Sequence, residues 1–203
     1  MTEPLSTASP NRLEAAWQRF DDENSRDPNV EMIDGIGRPR ELVYARWLTD
    51  WVLQLSPEAS EELRLAARCQ HLCRWTIPRD SFPMTRPGYL EWRQTLKKFH
   101  AQKAGEILRQ VGYSDAVVAR VQALVLKKDF PHDQESRVLE DALCLVFLQR
   151  QFADLASKTS DEKVINALRK SWKKMTPAAQ AIAASLSYSA REKALLDQAL
   201  RTE

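Results

Sequence analysis

Helix-start signals punctuate this chain from one end to the other, and that rhythm leaves little room for anything but a helical fold. Asn11 followed by Glu14, Ser114, Asp133, Thr176 with Pro177, and Ser189 with Glu192 each place a side-chain acceptor just ahead of an amphipathic run. Such residues satisfy the backbone N–H groups that a first helical turn leaves without partners. Ser56-Pro57 adds a proline suited to the first helical position, and Gly112 supplies a left-handed stop. Alternating strand patterns are nearly absent. The spacing predicts helices over 11–20, 41–55, 58–75, 88–111, 114–126 and 133–156, then three short ones opening at Thr159, Thr176 and Ser189. Residues 21–38 are polar, carry Pro28, Gly35 and Gly37, and read as a long loop closed by Pro39. The expectation is an all-α, compact bundle of eight or nine helices forming a single domain. Within it, residues 1–40 supply a helix and loop packed on an all-α body over 41–203.

A chain of 203 residues, 43% of them hydrophobic, can bury a core without disulfides or a structural metal. A formal net charge of +2 supplies no general field for nucleic acid or an acidic membrane. No apolar run approaches the roughly 18 residues of a membrane helix, and the N-terminus lacks a basic-then-apolar signal pattern. A cytoplasmic protein is expected. Cys69, Cys73 and Cys144 are odd in number, and the first two lie four apart, unlike a C-x-x-C site. They read as reduced, mostly buried thiols.

Three signals concern chemistry. In RPGYLEWRQTLKKFH, residues Arg86, Arg93, Lys97 and His100 fall within roughly 60° of arc on one helix face. That stripe fits the wall of an anion-binding cleft, or a solvated basic face. Asp141 shares a face with Leu145, Leu148, Phe152 and Leu155, so its carboxylate points with the apolar stripe. Buried carboxylates need a partner or a metal, and Arg137, one turn earlier, is the local candidate. His71 shares a face with Ala67 and Trp75, either as a structural histidine at the core's edge or on a cleft wall. His132 reads as a surface or capping residue before Asp133. Tyr44, Trp47 and Trp51, spaced i, i+3, i+7, read as core. The run from Lys170 to Lys174 reads as a solvated basic helix end rather than a phosphate contact. P-loop, nucleophile-elbow, H-E-x-x-H and dinucleotide fingerprints are all missing.

The segments QHLCRWTIPR, YLEWRQTLKKFHAQKAGEIL and SRVLEDALCLVFL together resemble the bacterial and fungal domain of unknown function 4202, over roughly residues 40–200. That resemblance implies no settled activity. The order of pieces is also similar to the all-helical HD-domain phosphohydrolases, whose histidines and aspartates bind metal inside the bundle. RCQHLCRW stands where their His-Asp pair is expected, FHAQKAGEILRQVGY resembles a later histidine helix, and LEDALCLVFL resembles the late aspartate helix. The first-helix histidine has no counterpart, since ELVYARWL offers Tyr44, and the paired aspartate is missing. The likeness implies a modified pocket in which His71, His100 and Asp141, with Glu140 or Gln70 as fillers, hold one divalent metal (Mn, Fe, Zn or Mg) or shuttle protons. Arg79, Arg86, Arg93 and Lys97 would hold an anion. Two functions follow as expectations: a hydrolase acting on a phosphorylated or nucleotide-like small molecule, or a non-catalytic module binding an anionic metabolite or a protein partner.

Overall fold

The structure is a computed structural model and describes residues 11–201. Its helices are α1 (Arg12–Asn24), α2 (Arg40–Leu55), α3 (Glu61–Cys69), α4 (Arg86–Val111), α5 (Asp115–Leu126), α6 (Gln134–Val146), α7 (Phe152–Lys158), α8 (Asp161–Trp172), α9 (Pro177–Ser185) and α10 (Ala190–Leu200). A two-stranded hairpin, β1 (Val30–Ile33) and β2 (Ile36–Pro39), lies between α1 and α2. The all-α reading holds, and the capping chemistry explains why. Ser114, Asp133 and Thr176 accept from the backbone N–H three residues on, and Ser189 with Glu192 closes a reciprocal capping box. Gly112, at φ 91°, ends α4 in the left-handed region where a side chain is disfavoured.

Three expectations are corrected. The polar stretch 21–38 is not one loop: α1 continues to Asn24, and the chain then pairs Val30 with Pro39 and Ile33 with Ile36. Asp34 and Gly35 both have positive φ, which matches the right-handed twist of two short strands. The helix expected over 58–75 starts at Glu61 behind the cap Ser60 and stops at Cys69. Cys73 adopts φ 53°, in the left-handed region, and its N–H donates to Asn24 Oδ1 at 3.0 Å. The long helix over 133–156 is interrupted by a wide π turn at Phe147–Gln151, an insertion that helices often carry at functional sites.

Leu48 and Val52 of α2 are fully buried among Phe20 of α1, Leu63 and Leu65 of α3, Leu108 of α4, Leu145 of α6 and Phe152 of α7. Each such side chain contributes about 1.5–3 kcal/mol through removal from water. Helix α2 packs on α3 and α6, and α4 packs on α5, so the middle of the bundle is closed by apolar faces. All three cysteines are free and buried, and burial pushes the Cys73 and Cys144 thiols up to about 12. Neither is a reactive thiolate at neutral pH. Among the described residues, no helix is long and apolar enough to cross a membrane.

Candidate functional site

A cavity of about 330 Å³ opens where α2, the turn after α3, α4, the end of α5, α6 and α8 converge. Its basic lining is Arg74, Arg93, Lys97, Lys127 and Lys174, against one lining carboxylate, Glu140. Arg93, Lys97 and His100 follow one another along α4 at helical spacing, so a single face delivers all three. The π turn brings Phe147 and Gln151 to the wall, and α8 adds Ala167 and Ser171.

The floor carries two histidines, and a buried glutamate, Glu41, lies behind one of them rather than on the lining. His100 is 2% exposed, and its Nδ1–H donates to the Leu72 carbonyl at 2.8 Å. Only a protonated nitrogen can donate to a carbonyl, so that bond selects the tautomer with a free Nε2 lone pair. Burial, then the neighbouring His71, depress His100 to about 3. His71 stacks on Tyr44 with centroids 4.3 Å apart and 16° between planes, and lies 5.9 Å from the His100 ring. Burial holds His71 well below the ordinary imidazole range, reinforced by Arg74, Arg93 and Lys127. Its Nδ1 sits 3.4 Å from Glu41 Oε2, and neither atom has a formed hydrogen bond to any described residue. Glu41 is 6% exposed, and burial lifts its carboxyl to about 7 against the pull of Arg74, 3.8 Å away. The end of α1 and its following turn hold Glu41 from both sides. Its N–H donates to Asp27 Oδ2 at 2.9 Å, and Asn24 Nδ2 donates to its carbonyl at 3.5 Å.

The roof is cationic and unevenly neutralised. Glu140 accepts from Lys127 and from Lys174, the latter at 3.0 Å. Burial alone would raise the Glu140 carboxyl, but the two ammonium groups hold it below the usual carboxylate range. Lys127 is depressed by burial and supported by Glu140. Arg93 and Lys97 have no hydrogen-bond or ion-pair partner among the described residues, and Lys97 is lowered by burial and then by Arg93. Two half-buried cations without a hydrogen-bonded or ion-paired partner among the described residues line this open cleft, and Glu140, already shared by two lysines, is the one carboxylate that acts on Lys97.

Of the residues expected from the sequence, His71, His100, Arg93, Lys97 and Glu140 meet at this cavity, and Asp141, Arg79 and Arg86 do not. Asp141 is buried as its apolar neighbours foretold, but its partner is not Arg137. Its carboxylate accepts from Thr176 N–H at 2.8 Å and Thr176 Oγ1 at 2.6 Å, fastening the start of α9. Arg137 instead donates to the Pro131 carbonyl at 3.4 Å. Arg79 donates to the carbonyls of Phe82, Pro83 and Thr85, so its guanidinium organises the loop before α4. Arg86 lies on the correct face but roughly 10 Å further along the helix than Arg93, beyond the cavity. A divalent metal does not fit the proposed donors. Asp141 is held by Thr176 and Glu140 by two lysines, and among the described residues no three His, Cys, Asp or Glu side chains converge on a point.

Sequence reasoning missed Glu41, Arg74 and Lys127, and read Lys174 as surface. Glu41 had a signal: it precedes Tyr44 and Leu48 at i, i+3, i+7, so it shares their buried face. Lys127 and Arg74 had none, because both sit in turns that follow a helix end.

No curated protein and no solved structure matches this chain, and the likeness to HD phosphohydrolases gains no support from these comparisons. One family model does match, and it runs from Glu14 to Leu196, which takes in every lining residue named above. The chain therefore belongs to the family described as a domain of unknown function, DUF4202.

Proposed function

We propose that this protein binds a phosphorylated or otherwise multiply anionic small molecule, nucleotide-like ligands included, in the cavity beside α4. The observation that supports this most is the pair Arg93 and Lys97, two half-buried cations on the wall of a cleft with no hydrogen-bonded or ion-paired partner among the described residues. Holding such charges together costs free energy, which an incoming anion offsets. An arginine suits bidentate contact with phosphate, and the volume suits a small ligand. Whether the bound molecule is turned over or only sensed separates the two functions that the sequence suggests. The donor set disfavours a metal-dependent version of either, since the carboxylates that would complete it are engaged elsewhere.

Isothermal titration calorimetry with pyrophosphate as the probe tests this reading. Pyrophosphate binds with an affinity that falls as salt rises, and Arg93→Ala weakens it about 10- to 100-fold, the worth of one charge-assisted contact. An Arg93→Ala protein that is folded and binds pyrophosphate as tightly as the parent would overturn it. So would a parent that binds neither pyrophosphate nor nucleoside phosphates.

A further inference from the structure

Beneath the cationic wall, three buried polar atoms, Glu41 Oε2, His71 Nδ1 and Oε1 of the adjacent Gln70, have no hydrogen-bond partner among the described residues. Native interiors rarely leave such atoms unsatisfied, and clusters of them mark chemistry or a missing ligand. Two of the three face each other at 3.4 Å. One proton on His71 Nδ1, donated to the Glu41 carboxylate after a small approach, satisfies both. The imidazole is then fixed as the Nδ1–H tautomer, and Nε2 keeps its lone pair. Tyr44, stacked flat on the ring, holds its plane. His71 lines the cavity together with Arg93 and Lys97.

We propose that Glu41 and His71 form a proton-transfer pair for hydrolysis of a phosphate monoester held in this cavity, with His71 as general base and Glu41 as its positioning residue. The proposal rests on the anion-binding reading above. Arg93 and Lys97 hold the phosphoryl oxygens, and a water beside the phosphorus attacks. The new P–O bond forms as the water's proton passes to His71 Nε2. The bond to the ester oxygen breaks, and that oxygen leaves with the bonding pair and takes a proton from solvent. The imidazolium is stabilised by Glu41, as a carboxylate stabilises the histidine of a catalytic triad. It then releases its proton to solvent.

The electrostatic surroundings suit such a role. Arg40, Asp27, Arg74 and His100 act on Glu41, and Arg74, Arg93 and Lys127 act on His71. Burial keeps His71 neutral and lowers its basicity, which a hydrogen bond to the Glu41 carboxylate raises again, and burial brings Glu41 to about 7. The pair therefore takes up its second proton as pH falls through neutrality, and general-base activity rises with pH across that range.

The test follows p-nitrophenyl phosphate hydrolysis, whose phenolate leaves without protonation, alongside pyrophosphate calorimetry and imidazole ¹⁵N NMR. His71→Asn is expected to lower kcat about 100-fold or more while pyrophosphate affinity stays within about 2-fold. Glu41→Gln lowers kcat with little change in KM and abolishes the rise of rate with pH near neutrality, and Glu41→Asp recovers part of both. In the parent, the His71 signals report an unprotonated Nε2, and pyrophosphate shifts them. A parent that binds pyrophosphate without turnover overturns the pair and leaves the binding reading standing. Equal turnover by the parent and a folded His71→Asn protein does the same. A parent that binds no anion at all removes the binding reading first.

Discussion

Glu140→Ala is expected to lower unfolding free energy by about 3–5 kcal/mol, a large fraction of what a domain of this size holds in reserve. The Glu140 side chain is 4% exposed and is the shared partner of Lys127 and Lys174. Removing it leaves the Lys127 ammonium in a site where burial already depresses it, with Lys97 and Lys174 adding repulsion. Lys174, half exposed, can turn to solvent, and Lys127 cannot do so as easily. Urea denaturation of Glu140→Ala, Lys127→Met and the double variant measures the effect. The double variant should be more stable than Glu140→Ala, because it removes the charge that the single change strands. A Glu140→Ala loss below about 1 kcal/mol would show that Lys127 escapes to water and that the pair does not hold this wall.

His100 should make the protein acid-sensitive in a separable way. Its folded-state value of about 3 lies below the ordinary imidazole value, so the unfolded chain binds a proton that the folded chain excludes. The stability that neutral His100 contributes is complete above about pH 6.5 and is lost as pH falls toward 3. At pH 5 the loss is about 2 kcal/mol from this residue. Glu41, raised to about 7, acts in the opposite sense: its folded form keeps a proton that the unfolded chain gives up, so it favours the folded state as pH falls. Wild-type stability alone therefore conceals the histidine. His100→Asn keeps a donor for the Leu72 carbonyl and removes the titration. The stability difference between wild type and His100→Asn should shrink by about 2 kcal/mol between pH 7.5 and pH 5 in paired urea titrations. A difference that is flat with pH would mean that His100 is not excluded from protonation.

The helical architecture was legible because capping is local chemistry. Ser114, Asp133, Thr176 and Ser189 each bond within three residues, so the sequence carries the whole interaction. The hairpin was equally local, with Asp34-Gly35 between two isoleucines, but polar neighbours and two glycines disguised it as a loop. The site was legible only where helical phase decides it. Arg93, Lys97 and His100 follow from α4, and phase also marked Asp141 as buried. Phase cannot say what a buried carboxylate meets, however. Asp141 meets Thr176, 35 residues away, and Glu41 meets a histidine that leaves the regular helix just before it is placed. The break after Cys69 depends on Asn24 reaching Cys73 across the fold, a contact that no window of sequence around either residue contains.

That same Asn24 sets how small a working piece of this protein can be. One fully buried amide side chain accepts from Cys73, two residues past His71, and donates to the carbonyl of Glu41, while Asp27 takes the Glu41 N–H. The first helix and its following turn thus act as a clasp on the two segments whose side chains face each other at 3.4 Å. Cutting the chain at Arg40 would keep every lining residue of the cavity and discard the clasp. An excised 40–203 fragment would then hold the cations of the wall without the fixed distance beneath them, so the indivisible unit of this fold begins upstream of the hairpin.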